Sequence, residues 1–156
     1  MSEGLIRLPD AAATEALGRA LGPRLRAGDI VALFGDLGAG KTSLARGALA
    51  ALGLAGEAPS PTFAIVQPYA PPEVSLPVAH VDLYRLDAPG DADELGLDDL
   101  LEDGALLIEW PERLGGALWP GALRLTLVPD ASGGRRLTWL APAAWETRWP
   151  PTELPR

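Results

Sequence analysis

The sequence predicts an α/β fold with a mixed central sheet and a C-terminal antiparallel hairpin, and three observations carry that expectation. Short apolar runs of strand type alternate with helical stretches through the front of the chain. One of them, Ala105-Leu106-Leu107-Ile108, is continuously apolar, as in a parallel strand buried on both faces. At the back, Leu123-Arg124-Leu125-Thr126-Leu127 and Arg136-Leu137-Thr138-Trp139-Leu140 alternate on either side of Ser132-Gly133-Gly134, the pattern of a hairpin. A length of 156 residues suits one domain, expected over 1–141, with 142–156 a Trp/Pro-rich tail.

Taken in order, Leu8-Pro9-Asp10 places Asp10 to cap a helix from Ala11 to Leu21, ended by Gly22-Pro23. Asp29 to Phe34 reads as a strand and Thr42 to Ala50 as a helix. A loop containing Ser60-Pro61-Thr62-Phe63 leads into a strand at Ala64-Ile65-Val66, which the proline-rich stretch Pro68 to Pro72 is expected to break. Extended structure resumes from Leu76 to Tyr84. Asp91 to Leu101 carries acids with leucines at 95, 97, 100 and 101, a short helix with a solvated face. Gly104 to Trp110 is a buried-strand pattern cut off by Pro111. The end, Trp145 to Arg156, is expected to pack loosely or fray.

Composition removes several function classes. A net charge of −8 and a pI near 4.6 oppose a free-standing nucleic-acid binder, which needs a basic surface for phosphate contacts. Any RNA role is therefore indirect. Cys 0 excludes disulfides, thiolate metal sites and cysteine nucleophiles. No apolar run approaches about 18 residues and no signal pattern opens the chain, so the expectation is a soluble cytoplasmic protein with no membrane role.

Gly35-Asp36-Leu37-Gly38-Ala39-Gly40-Lys41-Thr42 fits the pattern G-x-x-x-x-G-K-[ST], in which inward-facing backbone amides and one lysine surround a nucleotide's phosphates. It stands between a strand and a helix, as the motif requires. Lys41 is the chain's only lysine, every other basic side chain being arginine, and an arginine fork is too broad for the point charge needed here. The ammonium is expected beside the β and γ oxygens, and the Thr42 hydroxyl on Mg²⁺ at the start of the helix. The blander reading is a glycine-rich turn capping a helix. With this motif, the α/β class becomes a P-loop NTPase-like three-layer fold.

A hydrolytic P-loop also needs a carboxylate for the metal and a group that orients the attacking water. Two acids at strand ends compete for these tasks, Asp82 and Glu109, since the C-terminal strand ends of a parallel sheet face the ligand crevice. Glu109 is assigned to the metal and Asp82 to the water or γ-phosphate; each could also be an ordinary carboxylate at a solvated strand end. His80, the only histidine, shares a strand face with Asp82, although a hydrogen-bonded core histidine fits equally. Arg85 is a candidate phosphate contact or an ion-pair partner of Asp87. Ser60-Pro61-Thr62 is either a γ-phosphate-sensing loop or an ordinary turn.

The phosphate loop, Ser60-Pro61-Thr62-Phe63, His80-x-Asp82-Leu83-Tyr84-Arg85 and Ile108-Glu109-Trp110-Pro111 together resemble the bacterial TsaE family, also called YjeE, in order and approximate spacing from Leu8 to about Leu140. The resemblance implies a small Mg²⁺-dependent P-loop ATPase that works with TsaD and TsaB in making threonylcarbamoyladenosine on tRNAs reading codons that start with A. Such a protein touches tRNA only through the complex, resets the TsaD–TsaB assembly by hydrolysing ATP, and is weak or inactive alone; the isolated chain is allowed to be a monomer. By motif, Gly38, Ala39, Gly40, Lys41, Thr42 and Ser43 hold the phosphates, Thr42 and Glu109 bind Mg²⁺, and Lys41 and Asp82 serve catalysis. Ser60 to Phe63 and His80 to Arg85 resemble two switch segments. Trp110 sits near the nucleotide, and Arg135 reaches it from the hairpin, although Arg136 competes for that alignment. The tail matches no family pattern.

Three rivals follow from the residues. A GTPase would carry an Asn-Lys-x-Asp base-reading loop, which a single lysine already committed to the phosphates rules out. A small-molecule kinase would need an acceptor pocket and an arginine-bearing lid. A nucleotide-dependent binding module would turn over ATP only incidentally.

Overall fold

The computed structural model describes residues 1–36, 38–56 and 65–151. The chain opens with a strand, β1 (Ser2–Leu8), absent from the sequence expectation, and then helix α1 (Ala11–Leu21). Asp10 caps α1 as expected, its carboxylate accepting from the Ala13 amide at 2.8 Å. Strand β2 (Ile30–Phe34), helix α2 (Lys41–Ala51), β3 (Val66–Tyr69) and β4 (Val78–Asp82) follow. Beyond a 3-10 segment at Pro89–Leu95 come helix α3 (Leu97–Leu100), β5 (Ala105–Glu109), a second 3-10 segment at Pro111–Ala117, and the hairpin β6 (Leu123–Pro129) and β7 (Arg135–Ala141).

All seven strands join one sheet in the order β1-β7-β6-β2-β5-β4-β3. Its centre is parallel, with β2 between β5 and β6 and β4 beside β5, while β1, β7 and β3 run antiparallel to their neighbours. The sheet is thus mixed, with the expected C-terminal hairpin. Strands β2, β4 and β5 are almost wholly buried because both faces are covered, His80 and Glu109 being the buried polar side chains among them. On one side, Val31, Leu33, Leu107 and Leu125 pack with Leu17, Leu21, Leu44 and Leu49 of α1 and α2. On the other, Ala32, Val81, Leu106 and Ile108 pack under Leu86, Leu97 and Leu114 from the segments after β4 and β5. These are three layers.

Helices α1 and α2 approach through glycine. A Cβ on Gly18 would lie 2.0 Å from the Leu44 carbonyl oxygen, and one on Gly47 2.1 Å from that of Glu15. Contact this close leaves no room for a side chain between the backbones and presses α2, whose first turn carries Lys41 and Thr42, onto the sheet.

Three sequence expectations are corrected. Strand β3 runs through Pro68 instead of ending before it, because β3 is an edge strand and proline's missing N–H costs no ladder bond there. The acidic stretch forms no continuous helix: Gly96, at φ 67, separates the 3-10 segment from the single turn of α3. The third concerns the tail, which is docked through residue 151. Trp145 and Trp149 are 1% and 2% exposed, inside the core beneath α1. Between them Arg148 grips Asp29 with bonds of 2.5 and 3.1 Å, donates to the Arg24 carbonyl, and stacks 4.1 Å over the Trp145 ring. Residues 152–156 lie outside the described residues. Arg148→Ala is expected to destabilise the fold by about 2 kcal/mol, since it removes the two bonds to the partly buried Asp29 carboxylate, which keeps only the Arg26 amide, together with the packing on Trp145. Thermal and urea unfolding would measure the loss.

Candidate functional site

The site forms where the parallel strands end. Strand alternation turns Val78, His80 and Asp82 of β4, and Ala105, Leu107 and Glu109 of β5, toward the α1/α2 layer, with Asp82 in register beside Glu109. The turn from β2 to α2 passes above them, and Gly40 enters α2 at φ 103, a left-handed conformation that a side chain would strain. Leu37 of this loop lies outside the described residues, as does Ser60-Pro61-Thr62-Phe63 with the role expected of it.

Geometry brings together five of the residues singled out from the sequence. The Thr42 hydroxyl lies 3.0 and 3.1 Å from the two Glu109 carboxylate oxygens. His80 Nε2 stands 2.6 Å from Glu109 Oε2, so a carboxylate that is 3% exposed is held from two sides. His80 is fully buried, and among the described residues its Nδ1 has no partner; facing a carboxylate, which can only accept, Nε2 is the donor of the pair. Lys41 Nζ donates to the Gly35 carbonyl at 2.5 Å and lies 3.7 Å from the centre of the Trp110 ring. Trp110 adopts φ 58, the only positive φ off glycine among the described residues, and packs on Tyr84 at 4.9 Å. Its left-handed turn folds the indole back across Lys41.

Burial dominates the electrostatics of both ionisable groups at the site that shift. Burial lowers the Lys41 pKa, against the opposing pull of Glu109, Glu112, Asp82 and Asp36. Burial likewise raises the Asp82 carboxyl, with the Glu109 charge adding to the rise, although the Tyr84 amide donates to it at 2.9 Å. Both groups sit where their charged forms are costly.

Arg135, not Arg136, reaches the loop: its Nε and Nη2 donate to the Ala39 and Gly38 carbonyls at 3.1 and 2.9 Å. Arg136 faces the other side of β7, opposite Arg7. Arg85 is exposed beyond the strand end. Gly38, Ala39, Gly40, Ser43 and Arg135 line a cavity of about 280 Å³, which Thr14 and the capped start of α1 close on the far side. The part α1 plays here escaped sequence reasoning, and so did the grip of His80 on Glu109. The spacing His80-x-Asp82 held a signal only for the shared face, not for the neighbouring strand.

Among the described residues, no group of three His, Asp or Glu side chains is disposed to hold a metal alone. Thr42 and Glu109 supply two hard oxygen donors, which suits a cation that keeps water and phosphate in its remaining positions, as Mg²⁺ does.

Strand, glycine-rich turn, Lys-Thr helix start and flanking strand-end acid define a protein of the P-loop NTPase-like class. A family model described as "Threonylcarbamoyl adenosine biosynthesis protein TsaE" matches residues 8–137, and the chain belongs to the TsaE family. A Mycobacterium tuberculosis protein named tRNA threonylcarbamoyladenosine biosynthesis protein TsaE is 42% identical over 144 residues, covering 87% of this chain and 86% of its own. The Bacillus subtilis protein of the same name is 32% identical, covering 82% and 79%. The crystal structure of Bacillus subtilis YdiB superposes with a TM-score of 0.72 at 28% identity, over 90% of this chain and 86% of that one.

Proposed function

We propose that this chain is a Mg²⁺-dependent ATPase of the tRNA threonylcarbamoyladenosine machinery, which hydrolyses ATP in the cytoplasm to reset a TsaD–TsaB assembly and meets tRNA only through that complex. The observation that carries the reading is the pairing of Thr42 with Glu109 directly beneath the loop that ends in Lys41. Names of relatives in this pathway support the biological setting.

In this reading the amides from Gly38 to Ser43 cradle the phosphates, and Lys41 leaves the Gly35 carbonyl for the β and γ oxygens. Thr42 and Glu109 hold Mg²⁺, which screens charge on the phosphates when bound. Asp82 accepts a hydrogen bond from the attacking water. Its register beside Glu109 at the same strand ends puts it in the same crevice. The cavity under Arg135 and Thr14 takes the nucleoside. No helix among the described residues is long and apolar enough to cross a membrane.

ATPase activity measured with and without a TsaD–TsaB pair tests this function. Stimulation of phosphate release, with no phosphorylated small-molecule acceptor, is the expected result. Transfer of phosphate to a small acceptor would replace the reading with a kinase. Partner binding that follows nucleotide state without stimulated turnover would replace it with a binding module.

A further inference from the structure

On the sheet face opposite α1 and α2, the segments Pro89–Leu95, Leu97–Leu100 and Pro111–Ala117 surround a cavity of about 420 Å³. Its floor is apolar: Leu97 and Leu114 are 5% and 3% exposed and belong to the core of that face. Trp119 forms a wall, partly exposed, its indole N–H donating to Asp98 at 3.1 Å. Asp93, Asp98 and Asp99 stand exposed at the rim, and among the described residues none of them is in a salt bridge. Eight of the chain's 21 acidic residues fall between Asp87 and Asp103, a stretch without arginine, lysine or histidine, and Arg113 of the third segment lies over the Tyr84 ring.

An occupant must therefore bring positive charge and an apolar stem together. Phosphates, nucleic acids and acidic peptides are repelled. A bare metal ion makes no use of the apolar floor. A second copy of this chain brings its own net charge of −8. An arginine side chain satisfies every wall at once: its methylenes lie along Leu97 and Leu114, its flat guanidinium stacks on the Trp119 face, and its fork meets the rim carboxylates. We propose that this cavity seats an arginine from a basic segment of a protein partner. Leu114 lies four residues from Trp110, so the seat and the phosphate loop share one stretch of chain. The seat stands whether or not the loop hydrolyses nucleotide.

The test titrates the ¹⁵N-labelled full chain with the capped peptide acetyl-Gly-Arg-Gly-Arg-Gly-amide. Trp119→Phe assigns the Trp119 indole signal. The expected result is a saturable shift of that signal and of the Leu97 and Leu114 amides, absent with the neutral citrulline analogue. Asp93→Asn combined with Asp99→Asn, both at exposed rim positions, should weaken binding about fivefold with the remaining spectrum unchanged. The proposal is overturned by an equal response to citrulline, by non-saturating shifts spread over all the acidic surface, by an unaltered affinity in the double variant, or by no shift at Trp119. Nucleotide titration of the same sample reports on the phosphate loop separately.

Discussion

Replacing Lys41 with methionine should lower ATP affinity by two to three orders of magnitude, about 3–4 kcal/mol, while leaving the fold as stable as before or slightly more so. The first half follows from the two charge-assisted hydrogen bonds that the ammonium would make to phosphate in the proposed function, each about 1.5–3 kcal/mol, less than additive because the loop amides remain. The second half follows from where the ammonium sits. Lys41 is 4% exposed, and burial pulls its pKa down, so the charged form is carried at a cost that one carbonyl bond and the Trp110 face only partly offset. Methionine keeps the volume and the contact with the indole without the charge. Calorimetric titration with ATP and thermal unfolding of the same samples read both halves. A variant that binds ATP as the parent does would remove Lys41 from the phosphate site. One that unfolds markedly earlier would show that the ammonium supports the fold.

Much of this architecture was legible because its strongest signals are local. A strand, a glycine-rich turn and a helix start with Lys-Thr follow one another in sequence, so the phosphate loop needs no distant partner to be recognised. Buried parallel strands are equally plain, since β5 must be apolar on both faces. What escaped depends on partners far along the chain. Strand β1 is short on apolar alternation, only Ile6 and Leu8 being buried, and its register comes from β7, far along the chain, through pairs such as Ile6 with Leu137. The tail reads as frayed when Trp and Pro are counted alone; what holds it are the burial of Trp145 and Trp149 in the core and the pairing of Arg148 with Asp29, about 120 residues earlier. Pro68, in the proline-rich stretch to Pro72, reads as a break from sequence, and only the strand order, which puts β3 at an edge, makes it harmless. At the site the same division holds. Thr42 and Glu109 were each visible as strand-end or loop features, whereas His80 gripping Glu109 requires knowing that β4 and β5 are neighbours in register.

That grip separates the two acids experimentally. Glu109→Ala should abolish the Mg²⁺ dependence of ATP binding and also destabilise the fold by about 2–4 kcal/mol, since it leaves the buried His80 N–H and the Thr42 hydroxyl without their acceptor. Glu109→Gln keeps an acceptor oxygen, though not the negative charge a divalent cation needs. It should therefore lose the Mg²⁺ dependence with less than half of the stability loss. Asp82→Ala behaves differently, because the only described hydrogen bond of the side chain is from the exposed Tyr84 amide and its carboxylate is half-buried at a cost. Its removal should leave ATP and Mg²⁺ binding within about threefold and slow single-turnover hydrolysis by about a hundredfold, the scale of one positioned proton acceptor. If calorimetry instead found Mg²⁺ binding lost with Asp82 and retained without Glu109, the two carboxylates would exchange roles. His80 would then be the neighbour of a water-positioning group, occupying one of the acceptor sites of its carboxylate.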